Sequence, residues 1–214
     1  MPEVRYLPEQ DGQGFVDVRM TATGEIIALP GYLKLNYLGI KVLNGQQRDY
    51  FIPFEGKWKN RELSVTRKSD GGSYLVTGNI LGSAKIIFNP VKANLWYGEG
   101  SARVGPIFTQ GSGTPNSTPL RDGVYEISVP DEPHNAGNTY LSQSSYARLW
   151  YPIPLDQNQD GVPDERFLHC GSVSAGCVTV RDVPQWTGIY RYLYNRRLRE
   201  DVVGTITVNS SYIG

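Results

Sequence analysis

Residues 167–180 read Phe167-Leu168-His169-Cys170-Gly171-Ser172-Val173-Ser174-Ala175-Gly176-Cys177-Val178-Thr179-Val180. They hold both cysteines of the chain and one of its two histidines. A thiol becomes a nucleophile when an imidazole within reach takes its proton and a loop leaves the sulfur accessible. The flanks, Arg166-Phe167-Leu168-His169 and Cys177-Val178-Thr179-Val180, read as two short strands. The Gly/Ser-rich middle reads as a turn that brings their ends together. His169 and Cys177 then face each other across a tight connection. Blander readings fit the same residue types: a buried structural cysteine, a satisfied structural histidine, or a disulfide between Cys170 and Cys177.

Two further groups could carry chemistry. Asp156-Gln157-Asn158-Gln159-Asp160-Gly161-Val162-Pro163-Asp164 places Asp or Asn at positions 1, 3, 5 and 9 of a loop with Gly at 6, the spacing of an EF-hand-type calcium site. Asp156, Asn158, Asp160 and Asp164 are the candidate ligands of a structural calcium. Position 12 is Phe167 where that loop carries a bidentate acid, and an Asx-rich surface turn fits the same residues. His134 lies in the polar, turn-rich stretch 130–138 and reads as an exposed loop residue. Its alternative place is a lid over the cleft, where it lends a second imidazole to substrate binding.

The run around Cys177 resembles the signature of the L,D-transpeptidase (YkuD-like) catalytic-domain family: a His-Gly closing a strand, a loop, then Ser/Thr-His-Gly-Cys-Ile/Val. His169-Cys170-Gly171 is similar to the first part and Ser174-Ala175-Gly176-Cys177-Val178 to the second. Upstream, residues 109–127 resemble the segment in which a strand ends in Thr-Gly and Thr-Pro-x-Gly-x-Tyr/Phe-x-Ile opens the next. Downstream, a helix-like stretch over 182–199 leads to a closing strand over 204–208. The likeness covers roughly 85–208. The chain departs from the family in three ways. The step from His169 to Cys177 is shorter, Ala175 stands where the family has histidine, and Thr179 stands where it commonly has arginine.

The resemblance implies an L,D-transpeptidase-like β-sandwich and cysteine-dependent acyl transfer on peptidoglycan stem peptides. Cys177 attacks the carbonyl between an L-centre and a D-centre residue, and His169 moves the proton. A neighbouring imidazolium would lower the thiol from its usual value of about 8.5. The carbonyl of Cys170 orients the imidazole. Backbone N–H groups of the Gly176-Cys177 turn form the oxyanion hole. Ser174 braces the turn or touches substrate. The acceptor is an amine, giving crosslinking or exchange, or water, giving carboxypeptidase or endopeptidase activity. No cofactor is required. The rival functions are a secreted hydrolytic or exchange toxin and an inactive β-sandwich binding module. The expected place of action is periplasmic or facing the cell wall. The opening residues 1–14 show no basic stretch followed by an apolar one, so no signal peptide is expected and the export route stays open.

These residues need a scaffold, and the composition describes one. The 214 residues suffice for one large domain or two small ones. With 24 Gly, 14 Pro and 14 Tyr the chain reads as mainly β with many turns. Basic and acidic residues balance at 21 each, which offers nothing to nucleic acid or an anionic membrane. No apolar run is long enough to span a bilayer. Strands are expected over 24–29, 32–42, 48–54, 62–66, 74–77, 84–88 and 94–97. Leu43-Asn44-Gly45-Gln46 predicts a type I′ hairpin, and Ser69-Asp70-Gly71-Gly72 a second hairpin. The expected division is an N-terminal β unit over 1–84 and a catalytic domain over 85–214.

One main helix is expected, after the cysteine. Asp182 is its candidate N-cap and Pro184 suits its first turn. Trp186, Ile189, Tyr190 and Leu193 make an apolar face at helical spacing. Arg196, Arg197 and Arg199 complement the dipole at its end.

Overall fold

The fold comes from a computed structural model, which describes residues 3–10, 12–98, 100–103, 119–155, 166–172, 174 and 176–213. The chain is mainly β. It divides into two compact units, Met1–Ile80 with Asp131–Pro133, and Leu81–Pro130 with His134–Gly214. The division lies between Ile80 and Leu81, where the sequence reading put 84/85. The candidate calcium ligands Asp156, Asn158, Asp160 and Asp164 lie outside the described residues, as does 109–118 of the upstream resembling segment.

The first unit is one antiparallel six-stranded sheet. Its strands are β1 (Glu3–Tyr6), β2 (Phe15–Met20), β3 (Ile26–Pro30), β4 (Lys34–Leu43), β5 (Gln46–Pro53) and β6 (Leu63–Thr66), in the order β1-β4-β5-β6-β2-β3. Leu29, Leu33, Leu35, Phe51 and Leu63 are fully buried and make its core. The β4–β5 turn pairs Leu43 with Gln46. Asn44 and Gly45 have φ of 51° and 77°, the two positive values that a type I′ turn requires. The second expected hairpin does not form. The 69–72 turn is present, with Asp70 Oδ1 accepting from Gly72 N at 2.7 Å. Beyond it, however, Val76 pairs with Tyr6 rather than with β6. Asp49, wholly buried, shows why that turn folds back. Its carboxylate accepts from Arg67 Nη1 at 2.5 Å, Ser73 Oγ at 2.7 Å and Tyr37 Oη at 3.1 Å. A buried carboxylate needs such partners.

The second unit holds a five-stranded sheet of β7 (Ala84–Asn89), β8 (Asn94–Tyr97), β9 (Gly100–Arg103), β10 (Gly123–Ser128) and β14 (Val202–Val208), ordered β10-β14-β7-β8-β9. β14 runs parallel to β7 and the other pairs are antiparallel. Ile86, Phe88, Leu95, Ile127 and Ile206 form its buried side. A three-stranded sheet carries β11 (Tyr151–Pro152), β12 (Phe167–Cys170) and β13 (Val178–Val180).

The helix is shorter than the 182–199 expected. A 3-10 turn over Val183–Gln185 runs into α1 (Trp186–Leu193). Asp182 makes no capping side-chain bond. The predicted apolar face holds, with Trp186, Ile189, Tyr190 and Leu193 buried. Tyr190 stacks on Tyr146 at 4.0 Å, and Trp186 Nε1 donates to the Tyr146 carbonyl at 2.9 Å. The chain leaves the helix because 194–199 is recruited elsewhere. Arg196 bridges to Leu81, Arg199 to Val202, and the Arg199 guanidinium pairs with Glu126. Among the described residues no helix is long and apolar enough to cross a membrane.

Candidate active site

β12 and β13 are parallel, with Leu168 opposite Val178, His169 opposite Thr179 and Cys170 opposite Val180. The turn between them therefore does not fold the strands back to back. The chain leaves β12 at Cys170 and starts β13 at Val178, beside the start of β12. Parallel neighbours usually need a crossover of about a dozen residues or more. Here the bends fall on Gly171 with φ of 147° and Gly176 with φ of 87°, backbone that side-chain-bearing residues rarely adopt. Tyr140 holds the first bend. Its hydroxyl accepts from Ser172 N at 2.9 Å and lies 2.6 Å from Ser172 Oγ, and a Cβ on Gly171 would meet the Tyr140 ring at 3.2 Å. Ser174 holds the second. It is buried, and its hydroxyl donates to the Cys177 carbonyl at 2.8 Å. Ser174 thus braces the turn, and its hydroxyl hydrogen is not available to substrate.

A pocket of about 450 Å³ opens beside this loop. Its walls include Tyr140, Trp150, His169, Cys170, Gly171 and Cys177. Cys177 is 8 % exposed, so the loop does not leave it open to bulk solvent. The sulfur-bearing residue sits in a pocket wall instead. Cys170 and Cys177 are not joined in a disulfide. Their surroundings differ. Burial pushes the Cys170 thiol up to about 12, and its Sγ points to the Ala147 carbonyl at 3.9 Å. A thiol held that high stays protonated and inert at neutral pH.

His169 is buried, at 4 % exposure. Its Nδ1 lies 2.9 Å from the Cys170 carbonyl, the contact expected of that residue. Its Nε2 lies 3.0 Å from Thr179 Oγ1, the residue that the parallel register sets opposite. Desolvation lowers the imidazole to about 4, and a positive charge on His134 pushes the same way. The bond to the Cys170 carbonyl opposes both without prevailing. At neutral pH His169 is therefore uncharged, and no imidazolium stands ready to lower the Cys177 thiol. The resting site is not the ion pair that the sequence reading invoked.

His134 is neither exposed nor a lid. It is half-buried and stacks on Trp150 at 4.3 Å with the rings 5° apart, edge-on to Phe167. Trp150 in turn stacks on His169 at 4.2 Å and 24°. Two rings cannot occupy one face at that distance, so the indole lies between the two imidazoles. His134 therefore cannot replace the imidazole that Ala175 lacks. Trp150 and Tyr140 were missed from sequence because an aromatic residue in a turn-rich segment carries no positional signal. Thr179 carried one: it follows Cys177 by two positions, within the same strand-like run. Among the described residues no group of three or more His, Cys, Asp or Glu side chains could hold a metal ion. No protein-family model, curated protein or solved structure matches the chain.

Proposed function

We propose that this pocket performs cysteine-dependent acyl transfer on peptidoglycan stem peptides, on an L,D-transpeptidase-like β domain that spans the second unit. The observation that carries the reading is that Cys177 and His169 line one pocket while the Cys170 carbonyl fixes the imidazole through Nδ1. A carbonyl only accepts, so Nδ1 keeps its hydrogen and Nε2 is left as the basic nitrogen. In the reaction the Cys177 sulfur attacks the acyl carbon and its proton passes to His169 Nε2. The backbone N–H groups of Gly176 and Cys177 receive the oxyanion. The C–N bond breaks, the leaving amine takes the proton from Nε2, and a thioester remains on Cys177. An amine then attacks the thioester to give a crosslink or exchange product, or water attacks it to give a free acid. The test is incubation with purified tetrapeptide-bearing muropeptides and identification of products by mass. A crosslinked or shortened product that vanishes in Cys177→Ala supports the reading. Unchanged muropeptides with folded wild-type protein refute it.

A binding role without turnover is the second reading. It is favoured by the hydrogen bonds that already occupy both imidazole nitrogens within the protein. It predicts muropeptide binding without products and a Cys177 thiol of ordinary, slow reactivity.

A further inference from the structure

We propose that Thr179 masks the base: its hydroxyl occupies the one nitrogen of His169 that could take the Cys177 proton, and must turn away before the thiol can ionise. The inference rests on the reading of Cys177 as nucleophile and His169 as its base. It follows from hydrogen bookkeeping. The Cys170 carbonyl oxygen, 2.9 Å from Nδ1, has no hydrogen to give, so Nδ1 carries one. A neutral imidazole carries a single N–H, so Nε2 has a lone pair and no hydrogen. Thr179 Oγ1, 3.0 Å from Nε2, must then be the donor.

One lone pair cannot accept from two groups in line at once. While Thr179 donates to it, Nε2 is closed to the thiol. The arrangement is held from several sides. Thr179 is 4 % exposed, so bulk water does not compete for its hydroxyl. The parallel register sets its strand position opposite His169. The Trp150 ring, stacked on the imidazole, keeps it from swinging off the hydroxyl. Among the described residues, the titratable side chains around His169 include His134, across the indole, Cys170, whose thiol is buried, and Cys177, in the wall of the same pocket. Thr179 is thus a positioning residue that sets the resting proton state of the site.

The test compares wild type, Thr179→Val and Thr179→Ser as full chains. Iodoacetamide labelling at Cys177 is followed by peptide mass across pH, and the imidazole nitrogens are followed by NMR. Valine keeps the shape and removes the donor. Labelling of Cys177 in Thr179→Val should be about fivefold faster, the worth of one ordinary hydrogen bond, with its pH midpoint lowered. Thr179→Ser should behave as wild type. Equal labelling in the valine variant overturns the mask. Slower labelling also overturns it and makes the hydroxyl a proton relay. If the valine variant does not fold, the wild-type spectrum decides: a hydrogen on Nδ1 with Nε2 accepting upholds the proposal, and a hydrogen on Nε2 overturns it. Muropeptide turnover that survives in Cys177→Ala would instead refute the nucleophile assignment, whatever Thr179 does.

Discussion

Burial of His169 makes folding stability depend on acid in a way that one substitution should remove. In the unfolded chain its imidazole titrates at the ordinary 6.5, and in the folded protein at about 4. Between those values the unfolded state binds a proton that the folded state refuses. Stability therefore falls as pH falls. The loss begins as pH drops through 6.5 and is complete below about 4. Each pH unit between the two values is worth about 1.4 kcal/mol, so the full loss is about 3 kcal/mol. That is a large share of the ~5–15 kcal/mol that holds an ordinary domain together. The assay is urea unfolding followed by tryptophan fluorescence at steps from pH 7.5 to 4, for wild type and His169→Gln. Glutamine keeps a donor and an acceptor but does not titrate. The variant starts less stable, because it loses the stack on Trp150. Its stability should then decline less steeply below pH 6.5, and the two curves should converge by about 3 kcal/mol toward pH 4. Carboxylates titrate in both proteins and cancel in the difference. Parallel curves would show that the folded protein protonates His169 at an ordinary pH, and the buried neutral base would be wrong.

The other expectations concern the same site and its surroundings. Cys177→Ala should abolish turnover on muropeptides, whereas Cys170→Ala should keep it, and each should lose up to roughly 1 kcal/mol of stability from its buried sulfur; equal loss of activity in both would sink the assignment. The acid limb of the pH–rate profile should lie near the folded imidazole's value of about 4, well below that of an exposed histidine, and a limb near 6.5 would contradict it. Trp150→Ala should cost roughly 1–3 kcal/mol by urea melt, since it removes two ring stacks of a half-buried indole, while Trp150→Phe should recover most of that; an alanine variant as stable as wild type would refute the stacked arrangement. If the loop with Asp156, Asn158, Asp160 and Asp164 binds calcium, chelator should lower the melting temperature and Asp160→Ala should abolish that response; a melt indifferent to chelator leaves it a turn.

The sequence made some of this architecture legible because the signals were local. Asn44-Gly45 between two alternating runs names its own turn, and both residues take positive φ. Trp186, Ile189, Tyr190 and Leu193 repeat at helical spacing, and all four are buried. Other features depended on distant partners. Val76 could have paired back across its own turn, and tertiary structure gave it Tyr6 instead. The residues 194–199 continue a helical composition, but Arg196 finds a bridge partner at the distant Leu81, and the helix stops at Leu193. The strands Glu3–Tyr6 and Phe15–Met20 escaped notice because charged and polar residues on their open side interrupt any continuous apolar run.

The site follows the same rule and takes its meaning from it. The sequence places His169 and Cys177 near each other, and a hairpin and a parallel loop-back share one alternating pattern, since the period of two is common to both. The difference decides the chemistry. In a hairpin the residue opposite His169 belongs to the near end of the returning strand, at Cys177. In the parallel arrangement it is Thr179. That puts a hydroxyl on Nε2, and the carbonyl of Cys170 on Nδ1, so the imidazole is fully hydrogen-bonded before any substrate arrives. Burial then keeps it neutral, so no imidazolium stands beside the thiol. On the proposed mechanism, reactivity at Cys177 is set less by how near the histidine lies than by which residue the strand register brings opposite it.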